Sequence, residues 1–455
     1  MKRDEIEIMA PAGNFECLQA AIQGGANSVY FGVGSLNMRS HSANNFSLED
    51  LPRVCALCRE NGLKSYLTLN IVLYDGELEE ARRTLEAARD AGIDAIIASD
   101  MAAITYARQL GLEVHISTQL NISNVEALRF YAQFADVVVL ARELNLTQVR
   151  AISDAIEREN ICGPSGRKVR LEMFVHGALC MAVSGKCYLS LHEHGASANR
   201  GNCYQVCRRR YEVTDVETGY GLEIDNQYIM SPKDLCTIEF IDKIIDAGVR
   251  VFKIEGRARS AEYVKTCARC YREAADAVCQ DRSAAADAIQ DLPARTASER
   301  SATTAFTPEL AAELKAELAT VFNRGFWDGY YQGARLGEWS DVYGNRATRT
   351  KVYCGKVTNW FAHIGVAEIL LETVSLSRGD TILVIGATTG VVEKTIEELR
   401  VELKPVQTAQ KGEYCSIAFP PEGFTASNAI PKASAQSPAP KLHRGDKVYL
   451  WVEEK

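Results

Sequence analysis

Short runs of β-branched and other apolar residues alternate with amphipathic stretches over the first 260 residues of the chain. The strand-like runs are EIEIMA (5–10), SVYFGV (28–33), KSYLTLN (64–70), AIIAS (95–99), EVHISTQ (113–119), VVVLAR (137–142), LEMFVH (171–176) and VFKIEGR (251–257). Between them FECLQAAIQGG, LEDLPRVCALCRENG and ELEEARRTLEAARDAG set apolar residues at helical spacing and close on Gly, as a helix C-terminus prefers. Eight strands with intervening helices predict an α/β fold, a TIM-like (β/α)8 barrel, with a doubly wound parallel sheet as the alternative. Polar residues collect where the runs end: Asn14, Asn37, Arg39, Asn70, Asp100, Gln119, Arg142, His176 and Arg257. In a barrel these are the C-terminal strand ends, where active sites are built.

The spacing breaks once. About seventy residues separate the seventh and eighth strands, and a long loop on that face is usually functional. The insertion ends in SPKDLCTIEFIDKIIDAG, which predicts a helix capped by Ser231 with Pro232 in its first turn and Cys236 in its first turns. Residues 258–330 read as helical, with a softer, partly disordered stretch at 283–305. From about 349 the period shortens to two in TKVYCGKVTNW, IGVAEILL, DTILVIG, GEYCSIAF and DKVYLWVEE, with SRGD and HRGD as turns. The organisation expected is a barrel with a Cys-rich loop (178–236) over 1–280, a helical linker over 281–345, and a small C-terminal all-β barrel over 346–455 holding a flexible excursion at 424–440.

At 455 residues, 47% hydrophobic and 24% charged, the composition is that of a soluble globular protein of two or three domains. A net charge of −8 excludes nucleic-acid binding by bulk electrostatics and leaves only a local basic patch for it. No run reaches the ~20 apolar residues of a membrane span, and MKRDEIEIMAPAGN has no secretory apolar region. The expectation is a cytoplasmic protein whose fourteen cysteines are reduced thiols.

Five of those cysteines, Cys180, Cys187, Cys203, Cys207 and Cys236, fall in the insertion, with six, fifteen, three and twenty-eight residues between successive members. Zinc fingers lean on tighter C-x2-C pairs, whereas iron–sulfur ligation tolerates irregular spacing. An iron–sulfur cluster is favoured, with zinc as the alternative and Cys207 or Cys236 competing as fourth ligand. Most other cysteines fall on apolar faces as core fillers, among them Cys267 and Cys270 within a helical run. Lys253, Glu255 and Arg257 alternate along the eighth strand and face one way, so they must pair in an ion layer near the barrel mouth. A Glu between two cations stays ionised and suits a substrate anchor. His176 ends the seventh strand four residues before Cys180 and is a candidate proton donor. His192 and His194 are weak metal candidates. Arg200, Arg208, Arg209 and Arg210, interleaved with Tyr204 and Tyr211, form the one dense basic-aromatic patch, suited to phosphates and a stacked base.

Glu172, Phe174, Gly177, Ala178, Leu179, Cys180, Gly185, Cys187, Leu189 and Ser190 occupy the fixed positions of a signature that resembles that of the peptidase U-32, or collagenase-like protease, family. NRGNCYQVCR, SPKDLC, KIEGR, MAPAGN and VFNRGFWDGYYQG are similar to that family as well, so the resemblance covers nearly the whole chain. The layout is most similar to the tRNA hydroxylation protein P branch. The resemblance implies a [4Fe–4S] cluster on Cys180, Cys187, Cys203 and either Cys207 or Cys236. It also implies hydroxylation of the tRNA wobble uridine at C5, linked to prephenate or a molecule derived from it, without O2. Under that reading the expected catalytic residues are His176, Lys253, Glu255 and Arg257. Arg39, Asn70, Arg200, Arg208, Arg209 and Arg210 would bind substrate, the arginines gripping the anticodon backbone while a flipped pyrimidine enters the barrel. Arg257 or Arg39 would hold the small acid's carboxylate. A protein partner is allowed for as well, and a third class is a structural or sulfur-relay protein whose cluster never meets substrate. The family name supplies the main rival, a peptidase using Cys180 with His176 or a metal-bound water; a cluster, however, employs all the thiols.

Overall fold

In the computed structural model, which describes residues 2–41, 44–212, 214, 216–219, 228–290, 304–342, 344–419 and 441–454, eight parallel strands close on one another. They are β1 (Glu7–Pro11), β2 (Ser28–Gly32), β3 (Lys64–Leu69), β4 (Ala95–Ala98), β5 (Glu113–Ile116), β6 (Val137–Val139), β7 (Arg170–Ala178) and, after a short β8 (Asp234–Cys236), β9 (Val249–Ile254). Each pairs with its sequence neighbour, and β9 closes the ring by pairing with both β7 and β1. Helices α1 (Phe15–Gln23), α2 (Leu51–Glu60), α3 (Leu78–Ala91), α4 (Met101–Gln109), α5 (Val125–Tyr131) and α6 (Leu146–Glu159) alternate with the first seven strands. This is the TIM-like barrel the spacing predicts, and the doubly wound sheet is excluded because the ring has no free edge.

Local chemistry explains where the helices begin. The side chains of Asn14, Asp100, Asn124 and Asn145 accept backbone N–H groups in the first turns of α1, α4, α5 and α6. Two of these four, Asn14 and Asp100, are among the strand-end polar residues, and capping accounts for them. The barrel strands β1, β2, β4 and β6 are buried along their whole length, as expected where helices cover one face and side chains fill the other. Met9, Tyr30, Tyr66, Ala95, Ile97, Val137 and Val251 form the apolar filling inside the ring.

The insertion departs from expectation at its end. Residues 234–236 are a strand, not the opening of a helix: β8 runs antiparallel to the end of β7, with His176 opposite Cys236 and Ala178 opposite Asp234. The apolar run after it still forms a helix, but only a short one, α8 (Ile241–Asp246), preceded by α7 (Leu189–His194) within the Cys-rich loop. Ser231 and Pro232 therefore lead into a strand. Both accept hydrogen bonds from Arg208, and the backbone of Lys233 and Asp234 is bonded to Glu338 and Gly325, a pairing partner hundreds of atoms away in the chain that local helical signals cannot reveal.

Helix α9 (Ala261–Gln290) packs along α1, followed by α10 (Pro308–Leu318) and β10 (Phe326–Trp327), which extends β8. Residues 283–290 continue α9, and the rest of the soft stretch to 303 lies outside the described residues. The C-terminal part is antiparallel: β11 (Arg349–Phe361), β12 (Val366–Leu371), β13 (Leu376–Ser377), β14 (Thr381–Gly386), β15 (Gly390–Thr395), β16 (Leu399–Val401), β17 (Lys404–Pro405), β18 (Thr408–Ala409), β19 (Tyr414–Ala418) and β20 (Lys447–Glu453). Eight of them form one sheet in the order β15-β14-β20-β11-β12-β19-β16-β17, and β13 pairs with β18. The excursion at 424–440 lies outside the described residues. Gln23 on α1 joins barrel to sheet: its amide donates to Thr389 O at 2.8 Å and accepts the Val391 N–H at 2.8 Å. Lys351 pairs with Glu262 of α9 at 2.7 Å nearby. Among the described residues no helix is long and apolar enough to cross a membrane.

Candidate functional site

A cavity of about 220 Å³ opens at the C-terminal ends of the barrel strands, between them and the Cys-rich loop. Its floor is an ion layer. Lys253 Nζ donates to Glu172 Oε1 at 2.7 Å, with both side chains buried. Arg39 Nη2 donates to Glu255 Oε1 at 2.7 Å, and the Tyr30 hydroxyl to Glu255 Oε2 at 3.3 Å. Burial pushes the Glu255 carboxyl up, but the charges of Arg39, Arg142 and Arg257 outweigh it and hold the group at about 2. Arg257 is buried and donates through Nη1 to Asn37 Oδ1 at 3.0 Å and Thr68 Oγ1 at 2.9 Å, both neutral oxygens. Desolvation brings it down to about 10.

Glycine sets the wall in two places. A Cβ on Gly32 would lie 2.6 Å from the Arg257 guanidinium, so β2 can pass the ion layer only without a side chain. Gly177, at φ +102°, lets the end of β7 approach Glu255 O, which a Cβ would meet at 2.4 Å.

All three charged residues of KIEGR line the cavity, with Arg39 and Asn70. Asn70 donates to Ser117 Oγ at 3.3 Å. The cavity also contains Gln119, Arg142, Arg208, Arg259 and Arg324, of which only Arg208 was singled out as a site residue from sequence. Arg142 lies over the Phe174 ring at 4.2 Å, donates to Ala178 O at 3.4 Å, and its buried Nε has no partner among the described residues. Its signal was its place among the strand-end polar residues. Arg324 arrives from beyond α10 to pair with Asp234 at 3.2 Å, a tertiary approach without local signature.

The cysteines divide four to one. Cys180, Cys203 and Cys207 line the cavity beside the cationic floor. Burial pushes the Cys207 thiol up to about 11, and the charges that act on it are those of Arg208, Cys180, Cys203 and Cys187. Cys187 is likewise raised, by burial first and then by Cys180 and Cys203. These four thiols thus share the loop beside the cavity. Cys236 is not one of them. It is buried on β8 against the Tyr271 hydroxyl at 3.9 Å, raised to about 11 by burial, and Lys315 and Glu239 are the charged neighbours acting on it. Among the described residues no three or more His, Cys, Asp or Glu side chains are gathered at metal-holding spacing. The loop carries four thiols, three of them on the cavity wall, that are not gathered at metal-holding spacing. That set has the chemistry for an iron–sulfur cluster or zinc.

His176 is not in the cavity lining. It sits in the core among the rings of Tyr263, Tyr271 and Phe326, 5.5–5.9 Å away, and burial lowers it to about 3, so it is a neutral packing residue. Register explains this. Alternation from Glu172 and Phe174, which point into the barrel, would bring His176 inside as well, but the pairing of β7 with β9 shifts register between Phe174 and His176, and the ring turns instead toward Tyr263 and Tyr271 of α9. The arginine patch also separates. Arg208 is half-buried and ties the loop down, donating to Leu179 O at 2.6 Å, Pro232 O at 2.5 Å and Ser231 Oγ at 3.1 Å. Arg200 pairs with Glu77 and lies over the Tyr74 ring at 3.6 Å. Arg209 pairs with Glu193 on the surface, and Arg210 Nε donates to the Tyr228 hydroxyl at 2.7 Å. His192 and His194 lie on α7, where His194 faces the Tyr204 ring at 4.7 Å.

Comparison with known proteins places this architecture. The family model described as peptidase family U32 matches residues 13–341. A protein named collagenase in Porphyromonas gingivalis is 54% identical over 447 residues, covering 98% of this chain and 99% of its own. The tRNA hydroxylation protein P1 of Bacillus subtilis is 37% identical over 60% of this chain and 64% of its own length. A 23S rRNA 5-hydroxycytidine synthase of Escherichia coli is 38% identical over 61% of this chain and 40% of its own. A solved U32 peptidase structure aligns with TM-score 0.37 and 14% identity over 55% of this chain and 93% of that one. The barrel from α1 onward, its Cys-rich insertion and the signature residues on β7 fall within the matched span, and the chain belongs to peptidase family U32.

Proposed function

We propose that the protein is an iron–sulfur-dependent RNA-modifying enzyme that hydroxylates a pyrimidine at C5, the wobble uridine of tRNA in the first instance, with a small organic acid of the prephenate type as co-reactant. The observation that carries this reading is the shared cavity: three of the loop's four thiols face the same space as an arginine-rich floor. Relatives whose names state tRNA or rRNA hydroxylation support it. Cys180, Cys187, Cys203 and Cys207 would hold the cluster, which when bound supplies electron transfer or Lewis acidity beside the substrate. The rest is the work of the chain's own groups. Arg39 and Lys253 are already neutralised by Glu255 and Glu172, so Arg142 and Arg257, which make no ion pair with a carboxylate among the described residues, are the anchors for an organic acid. Glu255, held ionised, orients Arg39 and accepts from a ligand hydroxyl or ring N–H. The loop and barrel walls keep bulk water from the reacting atoms. A cytoplasmic location accompanies this reading.

The name of the Porphyromonas gingivalis relative favours a second reading, a peptidase. A Cys180–His176 nucleophile and base pair has no support in the geometry, because His176 is packed behind β7. Mass analysis of tRNA nucleosides from a strain lacking the protein tests the proposal. Loss of 5-hydroxyuridine derivatives, restored by wild type but not by Arg142→Ala, is expected. An unchanged modification profile, with cleavage of a collagen peptide by the purified protein, would overturn it in favour of the peptidase.

A further inference from the structure

The cavity explains where a base could react but not what holds the rest of a nucleic acid outside it. The rim of the mouth carries an unusual surface. Tyr188, next to Cys187, is 72% exposed, Tyr74 60% and Tyr204 56%, with Met181, Val183 and Leu191 also exposed around them. Single exposed apolar residues need no explanation, but a group of them on one rim does.

The two loops that carry these side chains are bonded to each other. Tyr74 lies in the loop between β3 and α3, and that loop is bonded to the Cys-rich loop: the Val72 N–H donates to Asn199 O, and Arg200 donates to Val72 O and Glu77. Tyr188 caps α7, which packs on the turns at 198–200 and 206–208. Two of the three rings are backed on one face and open on the other. The Arg200 guanidinium underlies Tyr74 at 3.6 Å, and the His194 imidazole faces Tyr204 at 4.7 Å. The Tyr204 backbone is fixed in turn by donation to Ser190 Oγ at 3.1 Å.

Charge indicates what the open faces accept. Between residues 180 and 211 the chain carries Lys186, Arg200, Arg208, Arg209 and Arg210 against one carboxylate, Glu193, although its net charge is −8; Arg200 and Arg209 are ion-paired with Glu77 and Glu193, and Arg208 is tied to loop carbonyls. Lys186 has no ion-pair partner among the described residues. Aromatic faces interleaved with cations match a strand that presents flat bases and phosphates together. Unpaired bases in RNA loops are recognised in this way.

We infer that Tyr74, Tyr188 and Tyr204 form a stacking platform for the unpaired bases of an RNA loop, which holds the nucleotides flanking the one in the cavity. This rests on the RNA reading above and deepens it: binding comes from the tyrosine rim, and Arg208 contributes only by holding the loop in place.

The test is fluorescence anisotropy of the full-length, anaerobically purified protein with a fluorescein-labelled anticodon stem-loop RNA. Tyr74→Ala, Tyr188→Ala and Tyr204→Ala should each weaken binding by roughly five- to a hundredfold, and the Phe variants should stay within about twofold of wild type. Tyr74 is on a different loop from the cysteines, so its variant reads stacking even if Tyr188→Ala disturbs the thiols. Alanine variants that bind the RNA as wild type does would overturn the platform while leaving RNA modification standing. Loss of affinity for a proline-rich collagen peptide, with RNA binding unchanged, would overturn it in favour of a peptide-binding rim. A wild-type protein with no affinity for the RNA loop would overturn both this inference and the function it rests on.

Discussion

At the scale of single residues, the ion layer and the buried histidine make opposite demands. Lys253 and Glu172 are buried and bonded only because each neutralises the other. Lys253→Met leaves an ionised carboxylate in the barrel and should cost about 3–5 kcal/mol in urea unfolding, part of which Lys253→Met/Glu172→Gln should recover. Glu255, depressed to about 2, contributes stability that is complete above its unfolded value of 4.5 and is lost as pH falls from there toward 2. His176 acts in a higher window. Its folded value of about 3 lies below the unfolded 6.5, so the unfolded chain binds the extra proton and stability falls on acidification through 6.5. Between pH 7.5 and 5.5 the loss from this residue alone should be about 1.4 kcal/mol. His176→Phe should flatten that part of the stability–pH curve while leaving cavity chemistry in place. A variant that keeps the full slope would show the histidine to be solvated. The charged residues of KIEGR were legible in sequence because period-two alternation fixes their common face. His176 was misleading because the register shift between Phe174 and His176 takes it out of the alternation that carries Glu172 and Phe174 inward, and adjacency to Cys180 in sequence cannot reveal that.

At the scale of elements, the Cys-rich loop is held to the barrel by backbone carbonyls at the end of β7 and before β8, both capped by Arg208. Arg208→Leu removes a charged donor from two half-buried carbonyls and should cost about 3 kcal/mol. The readout is limited proteolysis, in which cleavage between β7 and β8 should accelerate severalfold while the barrel stays intact. Cleavage unchanged from wild type would mean that the loop is anchored elsewhere. The eight barrel strands and the first helices were readable because apolar period and cap residues are local properties. β8 was not: Ser231-Pro232 carries a helix-start signal, yet the segment finds strand partners in β7 and β10. Tertiary pairing overrides propensity there, and it carries Cys236 away from the other four thiols.

At the scale of the whole molecule, the C-terminal sheet docks on α1 and α9, on the outside of the barrel. Gln23 supplies two of the hydrogen bonds across that junction. Gln23→Ala should lower the unfolding free energy by about 1–2 kcal/mol with RNA binding unaltered, measured by thermal melting beside the anisotropy titration. A separate low-temperature transition for the sheet would contradict the coupled arrangement. Strand content and turns of this region were legible in the alternating pattern, whereas its docking partner was not, because the contact is made by one polar side chain on a helix 360-odd residues earlier.

The division of the cysteines is the point on which the account turns. Anaerobically purified wild type, Cys187→Ala and Cys236→Ala should be compared by iron and zinc assay with the visible spectrum. The account predicts about four irons per chain and broad absorbance near ~400 nm in wild type and Cys236→Ala, both lost in Cys187→Ala. Stoichiometric zinc, a metal-free wild type, or loss of iron in Cys236→Ala with retention in Cys187→Ala would contradict it.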